Sequence, residues 1–257
     1  MPRPVALVTG PTAGIGLEFA RQLAAKGYDL VLVARNGDRL REVADEITSR
    51  YDGQAEVIVA DLSDRVALAR VEARLSDPER PVELLVNNAG YGSKHQFLDN
   101  DIEVEQQMLD VLVTAVLRLS HAALGPMLAR GHGSLINVSS VAGYLPRGTY
   151  SAAKAYVISF SEWVDLTYRA QGIRSLALLP GFTRTEFHER IDVSRDSAPA
   201  WMWIDADRVV REALADLDKG RRISIPTKRY KVLGGVSKYT RGSLGALQAH
   251  FQGLGRK

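Results

Sequence analysis

A strict alternation of short apolar runs with longer helical stretches constrains this chain more than any other feature. Val5–Thr9, Leu30–Ala34, Ala55–Ala60, Leu84–Val86, Ser134–Val138 and Arg174–Leu179 read as strands. Their cores are nearly continuously apolar, as strands covered on both faces must be. Helical stretches lie between them, over 14–27, 37–50, 63–76, 101–130 and 149–171, with a later helix at 205–219 and an edge strand at Ile223–Ile225. Gly27 closes the first helix, and Asp61-Leu62-Ser63 supplies a cap for the third. Regular β-α alternation predicts an α/β fold: a doubly wound parallel sheet with right-handed crossovers, sandwiched between two helical layers. No repeat or linker divides the chain, so a single domain is expected over 1–226, followed by a tail at 227–257.

The first strand runs into Thr9-Gly10-Pro11-Thr12-Ala13-Gly14-Ile15-Gly16 and then a helix. Glycines let a backbone approach a pyrophosphate, and the free N–H groups of a helix start stabilise its charge. The spacing is G-x-x-x-G-x-G, not G-x-G-x-x-G, and by itself it also fits a plain tight turn. Two further motifs follow in order, Asn87-Asn88-Ala89-Gly90 and Tyr150-Ser-Ala-Ala-Lys154. Together the three motifs resemble those of the short-chain dehydrogenase/reductase family, over roughly residues 4–226. The resemblance implies a Rossmann sheet of about seven strands, a nicotinamide cofactor and hydride transfer between that cofactor and a carbonyl or secondary alcohol.

The second strand indicates which nicotinamide to expect. A carboxylate at its end would grip the adenosine ribose hydroxyls and favour NAD. The strand ends instead with Ala34, followed by Arg35, where a guanidinium can pair bidentately with a 2′-phosphate and no acid is expected to oppose it. NADP (NADPH) is therefore the expected cofactor, with Arg39 as a second phosphate partner and Thr12 as a hydroxyl contact. The resemblance places Gly10, Thr12, Ala13, Gly14, Ile15 and Gly16 around the pyrophosphate. It places Asp61 and Leu62 at the adenine edge, and Asn88, Ala89 and Gly90 along the cofactor. Pro180, Gly181, Thr183 and Thr185 would then hold the carboxamide, and Tyr150 and Lys154 the nicotinamide ribose.

Tyr150 and Lys154 are four apart on a helix and so share a face. A free phenol titrates near ~10. A neighbouring ammonium and the positive end of the helix both favour its phenolate, which is expected to bring Tyr150 toward neutral pH for acid–base work. The resemblance makes Ser140 the group that orients the substrate oxygen. There is no G-x-S-x-G elbow for a serine hydrolase. Two departures stand out. Leu112 occupies the position where the family carries an asparagine that supports a water chain to the lysine, so slower proton resupply is expected. Only ten positions separate Ser140 from Tyr150, so the loop between them must be tight, and Tyr144 is expected to line the substrate pocket.

Composition narrows the setting. The 257 residues are 46% hydrophobic and 25% charged, ordinary for a globular enzyme, and contain no cysteine for disulfides or thiolate metal sites. No metal is expected, because the five histidines lack ligand spacing, and no nucleic-acid module is present. The amino terminus lacks a signal-peptide layout, and no run in the sequence reads as reaching the ~20 apolar residues of a membrane span. A cytoplasmic setting is expected. From Lys219 onward there are ten basic residues and no acidic ones, so the net charge of +3 hides an acidic body and a basic tail. That tail is offered for peripheral contact with an anionic membrane, or for packing on a second subunit. A substrate lid is expected over 182–204, with Phe187, Trp201, Met202 and Trp203 as an apolar wall for a hydrophobic small molecule. Apolar faces on 101–130 and 149–171 point to a homo-oligomer. The alternative is a non-catalytic NADPH-binding or membrane-surface scaffold.

Overall fold

The computed structural model describes residues 2–92, 97–185 and 199–231. Seven parallel strands form one sheet: β1 (Val5–Thr9), β2 (Asp29–Ala34), β3 (Ala55–Val59), β4 (Leu84–Asn87), β5 (Gly133–Val138), β6 (Ile173–Leu178) and, at the far edge, Ile223–Ser224. Two short strands, β7 (Thr183–Arg184) and β8 (Ile204–Asp205), pair separately, so the edge strand is β9. The order β3-β2-β1-β4-β5-β6-β9 reverses direction between β1 and β4. Such a reversal opens a crevice at the carboxyl ends of the strands.

The apolar runs form strands because both faces are covered. Leu7 lies opposite Val31 and Leu85 in register, and all three are buried. One face packs under α1 (Gly14–Ala25) and α2 (Gly37–Tyr51), with Phe19, Leu23, Leu40 and Ile47 fully inside. The helix at Ala206–Asp218 covers the same face through Val209, Val210 and Ala213. The other face packs under α3 (Arg65–Leu75), α5 (Ala115–Arg130) and α6 (Gly148–Tyr168) through Leu68, Leu119, Met127 and Val164.

Three expectations change. The third helix is capped by Asp64, whose carboxylate accepts from the Ala67 N–H at 2.7 Å. Asp61 instead folds onto the Ser63 backbone N–H (2.9 Å) and hydroxyl (2.7 Å). The stretch expected as one helix is α4 (Ile102–Leu109) joined to α5 by a π-turn over Asp110–Thr114, in which the Ala115 N–H reaches back to the Asp110 carbonyl. The whole run Ile102–Arg130 is, against the sequence expectation, long and apolar enough by length and composition to cross a membrane. It serves here as a core helix, burying Met108, Leu112, Leu119, Ala123 and Met127. The helix at Ala206–Asp218 is α7 below.

Candidate active site

The crevice between β1 and β4 is closed from beneath by hydrogen bonds. The Thr9 hydroxyl accepts from the backbone N–H groups of Asn88 and Ala89, both at 3.0 Å. The Asn88 amide donates back to the carbonyls of Thr9 (2.9 Å) and Gly10 (3.1 Å). Gly16 then brings α1 so close that a Cβ there would sit 2.1 Å from the Gly10 carbonyl oxygen. Gly14, at φ +55°, faces the Thr185 side chain, 2.9 Å from where its own Cβ would stand. The turns after β1, β4 and β6 thus converge, and α1 starts at their meeting point with its first N–H groups unpaired within the helix. Glycines where a side chain would collide, at a helix start, suit a pyrophosphate.

The other residues expected on the adenosine side meet in an arrangement that the sequence reading anticipates only in part. Arg35 is exposed at the end of β2, but an acid does oppose it: the Asp61 carboxylate lies 3.8 Å away. The β2–β3 register brings the two together across 26 residues of chain. Asp61 sits below the usual carboxylate range: its hydrogen bonds from Ser63, helped by Arg35, outweigh the burial that pushes it up. Arg39 reaches the glycine turn, donating to the Thr12 carbonyl at 3.2 Å, so in the structure Thr12 meets Arg39 through its backbone. Leu62 is buried in the core beneath this edge.

Ser140 and Tyr150 are hydrogen-bonded, and the Lys154 ammonium stands 5.7 Å from the centre of the Tyr150 ring. The short connection works because residues 141–144 form a 3-10 turn, begun by the Ser140 hydroxyl accepting from the Ala142 N–H at 3.1 Å. Gly143 lies against the backbone of α6, where a Cβ would be 2.9 Å from the Lys154 carbonyl carbon. Tyr144 is buried with Ile158, Ala177 and Leu179, because the 3-10 turn folds its ring inward. Lys154 is 5% exposed; its ammonium donates to the Val138 carbonyl at 2.8 Å, and its own carbonyl accepts from the Ser139 hydroxyl at 2.7 Å.

The electrostatics depart from the sequence expectation. Burial pushes the Tyr150 phenol up to about 12, and the hydrogen bond with Ser140 pulls the other way. Burial also pushes Lys154 down to about 8. In the folded chain desolvation therefore outweighs the attraction between ammonium and phenolate. Leu112, Met108 and Ala153 form the apolar surroundings, with Leu112 filling the space over Gly90.

Several residues that hold the site were not singled out from sequence. Asn87 and Asn137 are register partners on β4 and β5, and the Asn87 amide donates to the Asn137 side chain (2.8 Å) and to Ser120 (3.2 Å). Asn137 in turn donates to Ser161 on α6 at 2.9 Å. These bonds tie α5 and α6 to the strands carrying the site and leave the Asn87 Oδ1 as a buried acceptor without a partner among the described residues. The signal was available: two asparagines at the ends of apolar strands.

Beyond β6, Pro180 accepts from the Val141 N–H at 3.1 Å, lacing this turn to the one after β5. Thr183 is buried, and its hydroxyl donates to the Gly181 carbonyl at 3.1 Å; the Thr185 hydroxyl donates to the Thr183 carbonyl at 3.4 Å. Of the expected lid wall, Trp201 is exposed, Met202 packs partly on the core, and Trp203 lies against Phe182 with ring centres 5.5 Å apart. Phe187 and most of the basic tail lie outside the described residues.

Comparison with known proteins agrees with this architecture. The sequence profile of the family described as short chain dehydrogenase matches residues 4–196. A very-long-chain 3-oxoacyl-CoA reductase from Anas platyrhynchos is 33% identical over 217 residues, covering 81% of this chain and 67% of that protein. The human protein of the same name is 32% identical over 188 residues but is covered for only 60% of its length. Among solved structures, a short-chain dehydrogenase from Sphingobium yanoikuyae in complex with NADPH has a TM-score of 0.84 and 32% identity, over 93% of this chain and 95% of that one. A bulky-bulky ketone specific alcohol dehydrogenase from Comamonas testosteroni has a TM-score of 0.80 and 30% identity, over 93% and 94%. With its Rossmann-type sheet, converging turns and matched profile, the chain belongs to the short-chain dehydrogenase/reductase family of oxidoreductases.

Proposed function

We propose that this protein is an NADPH-dependent reductase of bulky, hydrophobic ketones or aldehydes, with Tyr150 as the proton donor. The observation that carries the reading is the meeting of Ser140, Tyr150 and Lys154, with the Lys154 ammonium against Gly90 in the turn after β4. The crowded glycines at 14 and 16 and the free start of α1 fit a dinucleotide pyrophosphate. Arg35 and Arg39 would hold the 2′-phosphate. The Arg35–Asp61 pair is exposed and worth at most ~1 kcal/mol, so it yields readily to a bidentate phosphate contact. Thr183 and Thr185 would hold the carboxamide, and Lys154 the nicotinamide ribose.

NADPH, when bound, supplies the hydride. The chain supplies everything else. Ser140 orients the carbonyl oxygen and stabilises the charge that develops there. Tyr150 gives that oxygen its proton. Burial keeps the phenol protonated at neutral pH, so the proton is present to be given. Lys154 keeps its charge below about 8 and stabilises the phenolate left behind. The substrate class is supported by the ketone-specific and 3-oxoacyl reductases among the relatives, and by the apolar Phe182, Met202 and Trp203 around the turn after β6.

We also propose a homo-oligomer. Leu117, Trp163 and Leu166 are exposed on α5 and α6, and an aromatic row runs from Tyr156 through Phe160 to Trp163. Patches of this kind mark interfaces. The function is tested by following NADPH absorbance against a panel of aryl and long-chain ketones. Consumption with bulky ketones is expected; none with any carbonyl, despite NADPH binding, would overturn the reading in favour of a non-catalytic binding protein.

A further inference from the structure

The chain just beyond β9 reaches back to the turn after β6. Tyr230 is 4% exposed, and its ring lies flat on Gly181, where a Cβ would stand 2.0 Å from the phenol carbon. Its hydroxyl accepts from the Phe182 N–H at 3.0 Å and donates to the Met202 carbonyl at 2.9 Å. One phenol therefore bridges the segment leaving β6 and the segment returning to α7, twenty positions apart in sequence. The same two segments pair through β7 and β8, and the Ile204 N–H donates to the Phe182 carbonyl at 2.9 Å. The neighbouring Arg229 donates to the Trp201 carbonyl and lies over the Trp201 ring, 5.9 Å from its centre.

The residue that launches this turn is held under strain. Thr227 has φ +71°, unusual for a β-branched residue. Its N–H is fixed by the Glu212 carboxylate at 2.9 Å, and Arg208 holds the other carboxylate oxygen at 2.8 Å. A strained backbone secured by a helix on one side and a buried phenol on the other is over-determined, as a part that sets geometry must be. What it sets is the course of Gly181–Thr185, whose far end abuts Gly14 of the glycine turn.

We infer that Tyr230 is a positioning residue that locks the Gly181–Thr185 turn against the glycine turn, so that the carboxyl-terminal turn governs how tightly the nicotinamide half of the cofactor is held. The inference rests on the proposed NADPH reading and concerns only one half of that site. Phe182 and Thr183 keep their places because Tyr230 occupies the space beside Gly181 and hydrogen-bonds two part-buried backbone groups, the Phe182 N–H and the Met202 carbonyl.

The test is Tyr230→Phe, which keeps the ring on Gly181 and removes only the hydroxyl. Binding of NADPH and of adenosine 2′,5′-bisphosphate, which reaches only the adenosine half, is measured by calorimetry. NADPH is expected to bind about tenfold more weakly to the variant, with the bisphosphate unchanged. Amide exchange gives a readout independent of ligand. The Phe182 amide should exchange at least about tenfold faster in the variant, while the Ser139 amide, bonded to Leu178 at 2.7 Å, keeps its rate. Unchanged NADPH affinity, or an equal loss for both ligands, would overturn the inference. A wild-type chain that binds neither ligand would overturn the cofactor reading and the inference together, and is distinguishable from both.

Discussion

The two halves of the crevice are held in different ways. On the side proposed for the adenosine the turn is held by the close fit of Gly16 against Gly10 and by the Asn88 side-chain amide, which donates to the carbonyls of Thr9 and Gly10. On the nicotinamide side the turn after β6 is held by side chains from distant sequence, above all Tyr230. The first arrangement is close-fitting, with no room for a methyl group at Gly16. The second can be adjusted by substitutions that leave the strands untouched.

Gly16→Ala should break the adenosine half most severely. A methyl group 2.1 Å from the Gly10 oxygen cannot be accommodated without moving α1. A loss of about 3 kcal/mol in stability is expected, with cofactor affinity falling by about 100-fold, read by chemical unfolding and calorimetry. Ala34→Asp tests the same half more gently. It sets a carboxylate beside the phosphate position and should move the NADPH-to-NADH ratio of kcat/KM by about tenfold or more toward NADH. An unchanged ratio would remove Arg35 from the account.

Lys154 belongs to the border between the halves. Its amine is held at about 8, so the reduction rate should fall as pH rises through that value, where the ammonium is lost. A kcat/KM profile that stays flat to pH ~10, the ordinary lysine range, would contradict this. The linked stability has a definite sign. The folded value lies below the unfolded one, so burying the charge destabilises the fold below about 8. Relative to Lys154→Met, the wild-type chain should gain stability as pH rises from about 8 toward the ordinary lysine value. Leu112→Asn should have the smallest effect on catalysis. It places an amide in an apolar site over Gly90 and should lower stability by about 2 kcal/mol with little change in NADPH affinity.

The strands were readable because burial on both faces writes apolar runs into the sequence, and β1, β2 and β5 fall within a residue of expectation. The helix boundaries blurred where two acids compete, as with Asp61 and Asp64, since either can cap and only packing chooses. The Arg35–Asp61 pair was not readable because strand register, not sequence distance, brings it together. Tyr150 and Lys154 were paired by their spacing and Ser140 by the family resemblance, but the direction of the Tyr150 shift was not legible. Spacing tells which charge is near, and only the folded surroundings tell how dry the site is. Tyr230 carried no signal, because a lone tyrosine 48 positions from Phe182 resembles any other core residue.

The most direct measurement is single-turnover oxidation of NADPH by Tyr150→Phe with a bulky ketone, alongside NADPH binding to the same variant. The account predicts a rate lower by about 10³-fold with affinity within about twofold of wild type, because only the proton donor is removed. A variant that turns over at the wild-type rate while binding NADPH normally would contradict it.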